Sequence, residues 1–193
     1  MNTRMFKILV LGDSGVGKTT FIDCHLDHEC QSDSFVKSVT YTFGKCQVCF
    51  NVWDCPDEND YIAASAAIIM YDLTNQISMA NAIVWVNRVR SLIPDIPIIL
   101  CGNKDDLSDK FLDSNVFWRF PRIYTSAKTQ TNLDLVFLYL AERLTGQALL
   151  ESIQQPAGIL PMITIPPIDK EKQETLVHLA DGTIIKVTFE QMT

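Results

Sequence analysis

Gly12-Asp13-Ser14-Gly15-Val16-Gly17-Lys18-Thr19 fits the pattern G-x-x-x-x-G-K-[ST]. Its glycines let the main chain wrap an anion, and the amides opening a following helix offer it partial positive charge. A phosphate is the anion this spacing suits. Asp13, Ser14, Gly15, Val16, Gly17 and Thr20 are assigned to the phosphate cradle with Lys18 and Thr19. Lys18 would reach the outer phosphates, and the Thr19 hydroxyl would ligate Mg²⁺.

A second constellation can name a base. Asn103-Lys104-Asp105-Asp106 fits N-K-x-D, about 85 residues beyond the loop. The Asp106 carboxylate can accept two hydrogen bonds from the N1–H and N2–H₂ edge of guanine. Adenine lacks that pair of donors and would leave a buried acceptor unpaired. Lys104 can lay its aliphatic stem over the ring. Ser126-Ala127-Lys128 adds main-chain donors for the base oxygen.

These groups need rigid elements behind them. Phe6 to Leu11 is an apolar run ending at Gly12, which predicts a buried strand. Gly17 to Leu26 has helical spacing, with Phe21, Ile22 and Leu26 on one face. Further strands are predicted over Val39–Phe43, Gln47–Trp53, Ala66–Tyr71, Ile96–Cys101 and Arg122–Tyr124, and helices over Ile77–Ile93 and Leu133–Leu144. Apolar strands alternating with helices predict a mostly parallel sheet covered on both faces. In such sheets ligands bind at the strands' carboxyl ends, where all three motifs fall. We therefore expect a three-layer α/β/α domain with about six mostly parallel strands over 1–150.

Beyond this domain the composition shifts. Pro156, Pro161, Pro166 and Pro167 predict an extended linker over 151–174. In 175–193, Asp181-Gly182 lies between β-branched runs, which predicts a C-terminal β-hairpin.

A net charge of −7 argues against direct nucleic-acid binding, which needs clustered cations to neutralise phosphates. No stretch approaches the ~20 apolar residues of a membrane helix. Met1–Lys7 lacks the apolar region of a secretory signal, so the six cysteines are expected as free thiols in a reducing compartment. Cys46 and Cys49 form a lone C-x-x-C without a second ligand pair and are assigned to a strand rather than to zinc. The final residues, Glu190–Thr193, hold no cysteine, so no prenyl anchor is expected.

The phosphate loop, N-K-x-D and Ser126-Ala127-Lys128, in this order, resemble the Ras superfamily of small GTPases, a P-loop NTPase fold. Phe50–Asp54, Ala67–Asp72, Ile96–Lys104 and Leu140–Leu144 are most similar to the Ran branch, over about residues 5 to 150. The resemblance implies a monomer that binds GTP or GDP with Mg²⁺, in the cytoplasm or nucleus, with importin-family transport receptors or Ran regulators as partners. It implies nucleocytoplasmic protein transport as the setting.

The switch regions depart from that family. Asp54, which would hold Mg²⁺ through water, is present. In the family the run continues to D-x-x-G-Q, but Asp57 stands at the Gly position and Glu58 at the catalytic Gln position. Two carboxylates beside a γ-phosphate oppose it electrostatically, so we expect slow hydrolysis. The following segment is shorter than in Ran. Phe35–Val39 resembles the stretch that ends in a Mg²⁺-binding Thr, a role open to Ser38 or Thr40. Cys30 stands where the family stacks an aromatic ring on guanine, and the acidic tail of Ran is absent.

Overall fold

The computed structural model describes residues 2–24, 36–43, 46–54, 57–107, 120–146, 174–178 and 184–188. The strands are β1 (Asn2–Leu11), β2 (Val36–Phe43), β3 (Cys46–Asp54), β4 (Ala66–Asp72), β5 (Ile98–Asn103) and β6 (Arg122–Tyr124). Between them lie helices α1 (Lys18–Asp23), α2 (Gln76–Leu92) and α3 (Leu133–Thr145), with a 3-10 turn over Glu58–Tyr61. The sheet order is β2-β3-β1-β4-β5-β6. β2 runs antiparallel to β3, and every other pairing is parallel. The chain leaves β1 for β3 on one side and reaches β4 on the other. This is the reversal at which open α/β sheets bind ligands.

Strand period two divides the core. Ile8 and Val10 point to one face with Phe50, Ile68 and Ile99, where α1 and α3 cover them through Phe21, Ile22, Val136, Phe137 and Leu140. Leu9 and Leu11 point to the other with Ala67, Ile69 and Leu100, where α2 supplies Met79, Ala82, Ile83, Val86 and Val89. Three layers result, and β4 and β5 are buried along their whole length. On the α1/α3 side, Phe137 stacks on Phe21 at 5.7 Å between ring centroids and lies 5.5 Å from Phe50. Each such buried ring contributes roughly 1.5–3 kcal/mol.

Element ends follow local chemistry. α1 starts at Lys18 because Gly17 has φ 98°, a left-handed conformation outside the helix. The described helix stops at Asp23, and the Leu26 end of the predicted segment lies outside the described residues. Asn75 caps α2 by accepting from the amides of Ile77 and Ser78 at 2.9 and 3.2 Å. Gly146, at φ 70°, ends α3 with its amide on the Glu142 carbonyl. β5 begins at Ile98 rather than Ile96, since Pro97 precedes it and has no N–H to give the ladder.

Cys46 and Cys49 both fall in β3. The predicted C-terminal strands form a separate antiparallel pair, β7 (Glu174–His178) and β8 (Ile184–Thr188). Its register sets His178 opposite Ile184, whereas a two-residue loop of Asp181 and Gly182 would set His178 opposite Ile185. Those loop residues and residues 151–173 of the linker lie outside the described residues, while its last residue, Glu174, belongs to β7.

Candidate nucleotide site

The glycine loop leaves β1 at the sheet's reversal. Gly12, at φ 143°, passes so close to β4 that a Cβ there would stand 2.2 Å from the Met70 carbonyl oxygen. At Gly17 a Cβ would stand 2.4 Å from the Asn103 side-chain nitrogen. Both positions exclude any other residue. Lys18 is 8% exposed, and its ammonium donates to the main-chain carbonyls of Gly12 (2.8 Å) and Asp13 (2.6 Å). A buried cation resting on neutral acceptors is suited to receive an anion.

Asn103 ties the two motifs together. Its Nδ2 donates to the Val16 carbonyl at 2.9 Å, and its Oδ1 accepts from the Ala127 amide at 3.1 Å. The Ser126 hydroxyl donates to Asp106 Oδ1 at 2.6 Å, and Lys128 Nζ lies 3.8 Å from Asp106 Oδ2. The Ser126 hydrogen bond, helped against burial by the Asp106 main-chain amide and then by Lys128, holds the Asp106 carboxyl below its ordinary pKa. The loops enclose a cleft of about 360 Å³. Gly15, Gly17 and Thr20 line one part, and Asn103, Lys104, Asp106, Leu107, Ala127 and Lys128 line the rest. That volume is in the range of small-molecule sites.

Beside the loop, Thr19 Oγ1 donates to Asp54 Oδ2 at 2.6 Å, which brings together a hydroxyl and a carboxylate expected at Mg²⁺. Hard oxygen donors of this kind suit that ion. Ser38 and Thr40 lie elsewhere. Ser38 pairs with Asn51 and Thr40 with Cys49 in the β2–β3 ladder. At ~3.3 Å per residue they stand about 10 and about 16 Å along the strand from Asp54. The Ser38 hydroxyl is donated to Asn51 Oδ1 at 3.0 Å. Both sit inside the regular antiparallel β2–β3 pairing.

Glu58 opens the 3-10 turn, and Arg88 of α2 takes its carboxylate. The Asp57 amide donates to Asp60 Oδ2 at 3.2 Å. Cys30 lies outside the described residues.

Three contributors were not foreseen. Asp72, ending β4, accepts Lys104 Nζ at 2.6 Å and Thr74 Oγ1 at 2.7 Å. It thereby fixes the lysine whose stem is expected over the base. Asn81 and Trp85 of α2 donate to the Asp13 carboxylate at 2.7 and 2.9 Å. The signals were an acid closing a strand and two polar side chains four apart on a helix, neither of which forms a motif alone.

A six-stranded α/β sheet with this loop at the carboxyl end of its first strand is a P-loop nucleotide-binding domain. Residues 7–146 match the family model for the Ras family, and the chain belongs to that family. It is thus a small GTP-binding protein. Among the described residues no helix is long and apolar enough to cross a membrane.

Proposed function

We propose that this chain is a guanine-nucleotide switch similar to Ran, which binds GTP or GDP with Mg²⁺ and hydrolyses GTP slowly. The observation that carries the slow step is the fate of Glu58. The residue at the catalytic Gln position is an acid, and its carboxylate is engaged by Arg88. A carboxylate so held is a poor partner for an attacking water beside a γ-phosphate, because both repulsion and position oppose it.

In this reading Lys18 and the amides of the loop from Asp13 to Thr20 hold the phosphates. Asp106 reads the guanine edge, Lys104 covers the ring, and Asn103 with Ser126-Ala127-Lys128 fixes the base loop. Thr19, and Asp54 through water, would hold Mg²⁺, which when bound neutralises phosphate charge. The nucleotide domain spans 1–150, followed by a linker over 151–174 and a hairpin extension over 175–193. Importin-family receptors or Ran regulators are the proposed partners of a monomer in the cytoplasm or nucleus.

A second reading is a non-cycling mimic that keeps its nucleotide for stability and occupies Ran's partners. Cys55-Pro56-Asp57-Glu58, in place of the family's x-x-Gly-Gln, favours it.

Chromatography of the nucleotide released from the purified protein, followed by a turnover assay, tests both readings. GDP supports a slow hydrolase and GTP a stalled one. No nucleotide, and no rise in Tm on adding GTP, would remove both readings. Capture of importin-type receptors in neither nucleotide state would remove the Ran-like partners.

A further inference from the structure

Asp13 is the second residue of the phosphate loop, yet both of its carboxylate oxygens are taken by α2. Oδ2 accepts from Asn81 Nδ2 at 2.7 Å and Oδ1 from Trp85 Nε1 at 2.9 Å. The donors stand four residues apart, so one helix face presents both. The Asp13 main-chain carbonyl, meanwhile, accepts the Lys18 ammonium at 2.6 Å. Arg88, one turn further along that face, lies 5.3 Å over the Trp85 ring and holds Glu58.

We propose that the Asn81–Trp85 face of α2 is a positioning element for nucleotide retention, holding the Asp13 charge off the diphosphate and fixing the carbonyl on which Lys18 rests. A carboxylate built into an anion-binding loop opposes its ligand. Two neutral donors, one per oxygen, satisfy that carboxylate away from the phosphates without adding a competing cation. They also anchor the loop at the residue whose carbonyl carries the lysine. α2 packs across the sheet from α1, so retention depends on a helix that contributes no phosphate contact itself. The inference rests on the guanine-nucleotide reading of the cleft.

Release of a fluorescent GDP analogue from the full chain tests it. Trp85→Phe with Asn81→Leu removes both donors and keeps the bulk. Release should quicken at least about tenfold, the scale of losing hydrogen bonds to a charged group. The excess should shrink as salt rises, because salt screens the freed carboxylate. Adding Asp13→Asn to the pair should return the rate toward the parent's, since no charge then remains to repel the ligand.

Unchanged release in the pair overturns the proposal. So does faster release that neither salt nor Asp13→Asn reduces, which would mark mere loss of packing. Should the pair unfold, Trp85→Phe alone keeps a ring and loses one donor; roughly threefold faster release that salt reduces supports the proposal, and parental release overturns it. A parent chain that takes up no GDP analogue removes the cleft's assignment and this inference together. A parent that binds while the variants behave like it removes the inference alone.

Discussion

Arg88 holds Glu58 through two guanidinium nitrogens, Nε and Nη2, each 2.8 Å from the same carboxylate oxygen. Both side chains are about half exposed, so the pair contributes only about 0–1 kcal/mol to stability. Its weight lies in where it keeps an acid, not in how firmly it keeps the fold.

Asp57→Gly together with Glu58→Gln should therefore raise single-turnover GTP hydrolysis at least about tenfold, or ~1.4 kcal/mol off the barrier. Alternatively it should strengthen GTP relative to GDP. Phosphate release and competitive nucleotide binding measure these. No change in either quantity would detach the slow step from these carboxylates.

Asp106→Ala removes both acceptors offered to the guanine edge. GDP affinity should fall about 100-fold or more, from two lost hydrogen bonds to a charged group. Preference for GDP over ADP should fall with it. Titration calorimetry with the two diphosphates gives both numbers, and preserved discrimination would mean that another group reads the base. Lys18→Ala should weaken GDP and ADP alike, because the ammonium's proposed role is toward the phosphates, which both share.

Asp72 gives the fold an acid sensitivity of predictable sign. Burial works to raise its carboxyl pKa, but hydrogen bonds from Lys104 and Thr74 outweigh burial and hold it below the ordinary value. A depressed folded-state pKa contributes stability above the unfolded value, about 4, and loses it as pH falls through the lower folded one. Urea midpoints at pH 7 and pH 3 should show a larger acid loss for the parent than for Asp72→Asn. Equal losses would assign the sensitivity to other groups.

Phe137 is fully buried against Phe21 and Phe50. Phe137→Ala should cost about 3–5 kcal/mol. A denaturant titration at saturating GDP reads the cost, and a loss below about 1 kcal/mol would mean the layer between α3 and the sheet collapses to fill the void.

Much of this architecture was legible from patterns that one segment carries by itself. Phe6–Leu11 followed by Gly12 marked β1 and its loop, because a buried strand must be apolar and a phosphate turn must be free of side chains. Arg122–Tyr124 was placed to the residue, and Ala66–Tyr71 to within one. Gly15, Gly17 and Thr20 of the first motif share one cleft with Asn103, Lys104, Asp106, Ala127 and Lys128 of the others, since the sheet brings its strand ends together. What stayed hidden depends on partners distant in sequence. Asp72 has no meaning at the Lys104 loop until β4 and β5 pair. Asn81 and Trp85 read as an ordinary helix face until α2 packs beside Asp13. Ser38 and Thr40 were metal candidates by resemblance to the family's first switch, and only the ladder register places them opposite Asn51 and Cys49.

The Asn103 carboxamide, with its donor on the Val16 carbonyl and its acceptor on the Ala127 amide, acts as a hinge pin between the two jaws of the cleft. On the proposed guanine-nucleotide reading, ordering one jaw around a pyrophosphate should help order the other for a purine, and the reverse should hold to the same degree. Guanosine or pyrophosphate offered separately should then bind more weakly than a whole nucleoside diphosphate, whose two ends would reinforce each other through a single planar amide.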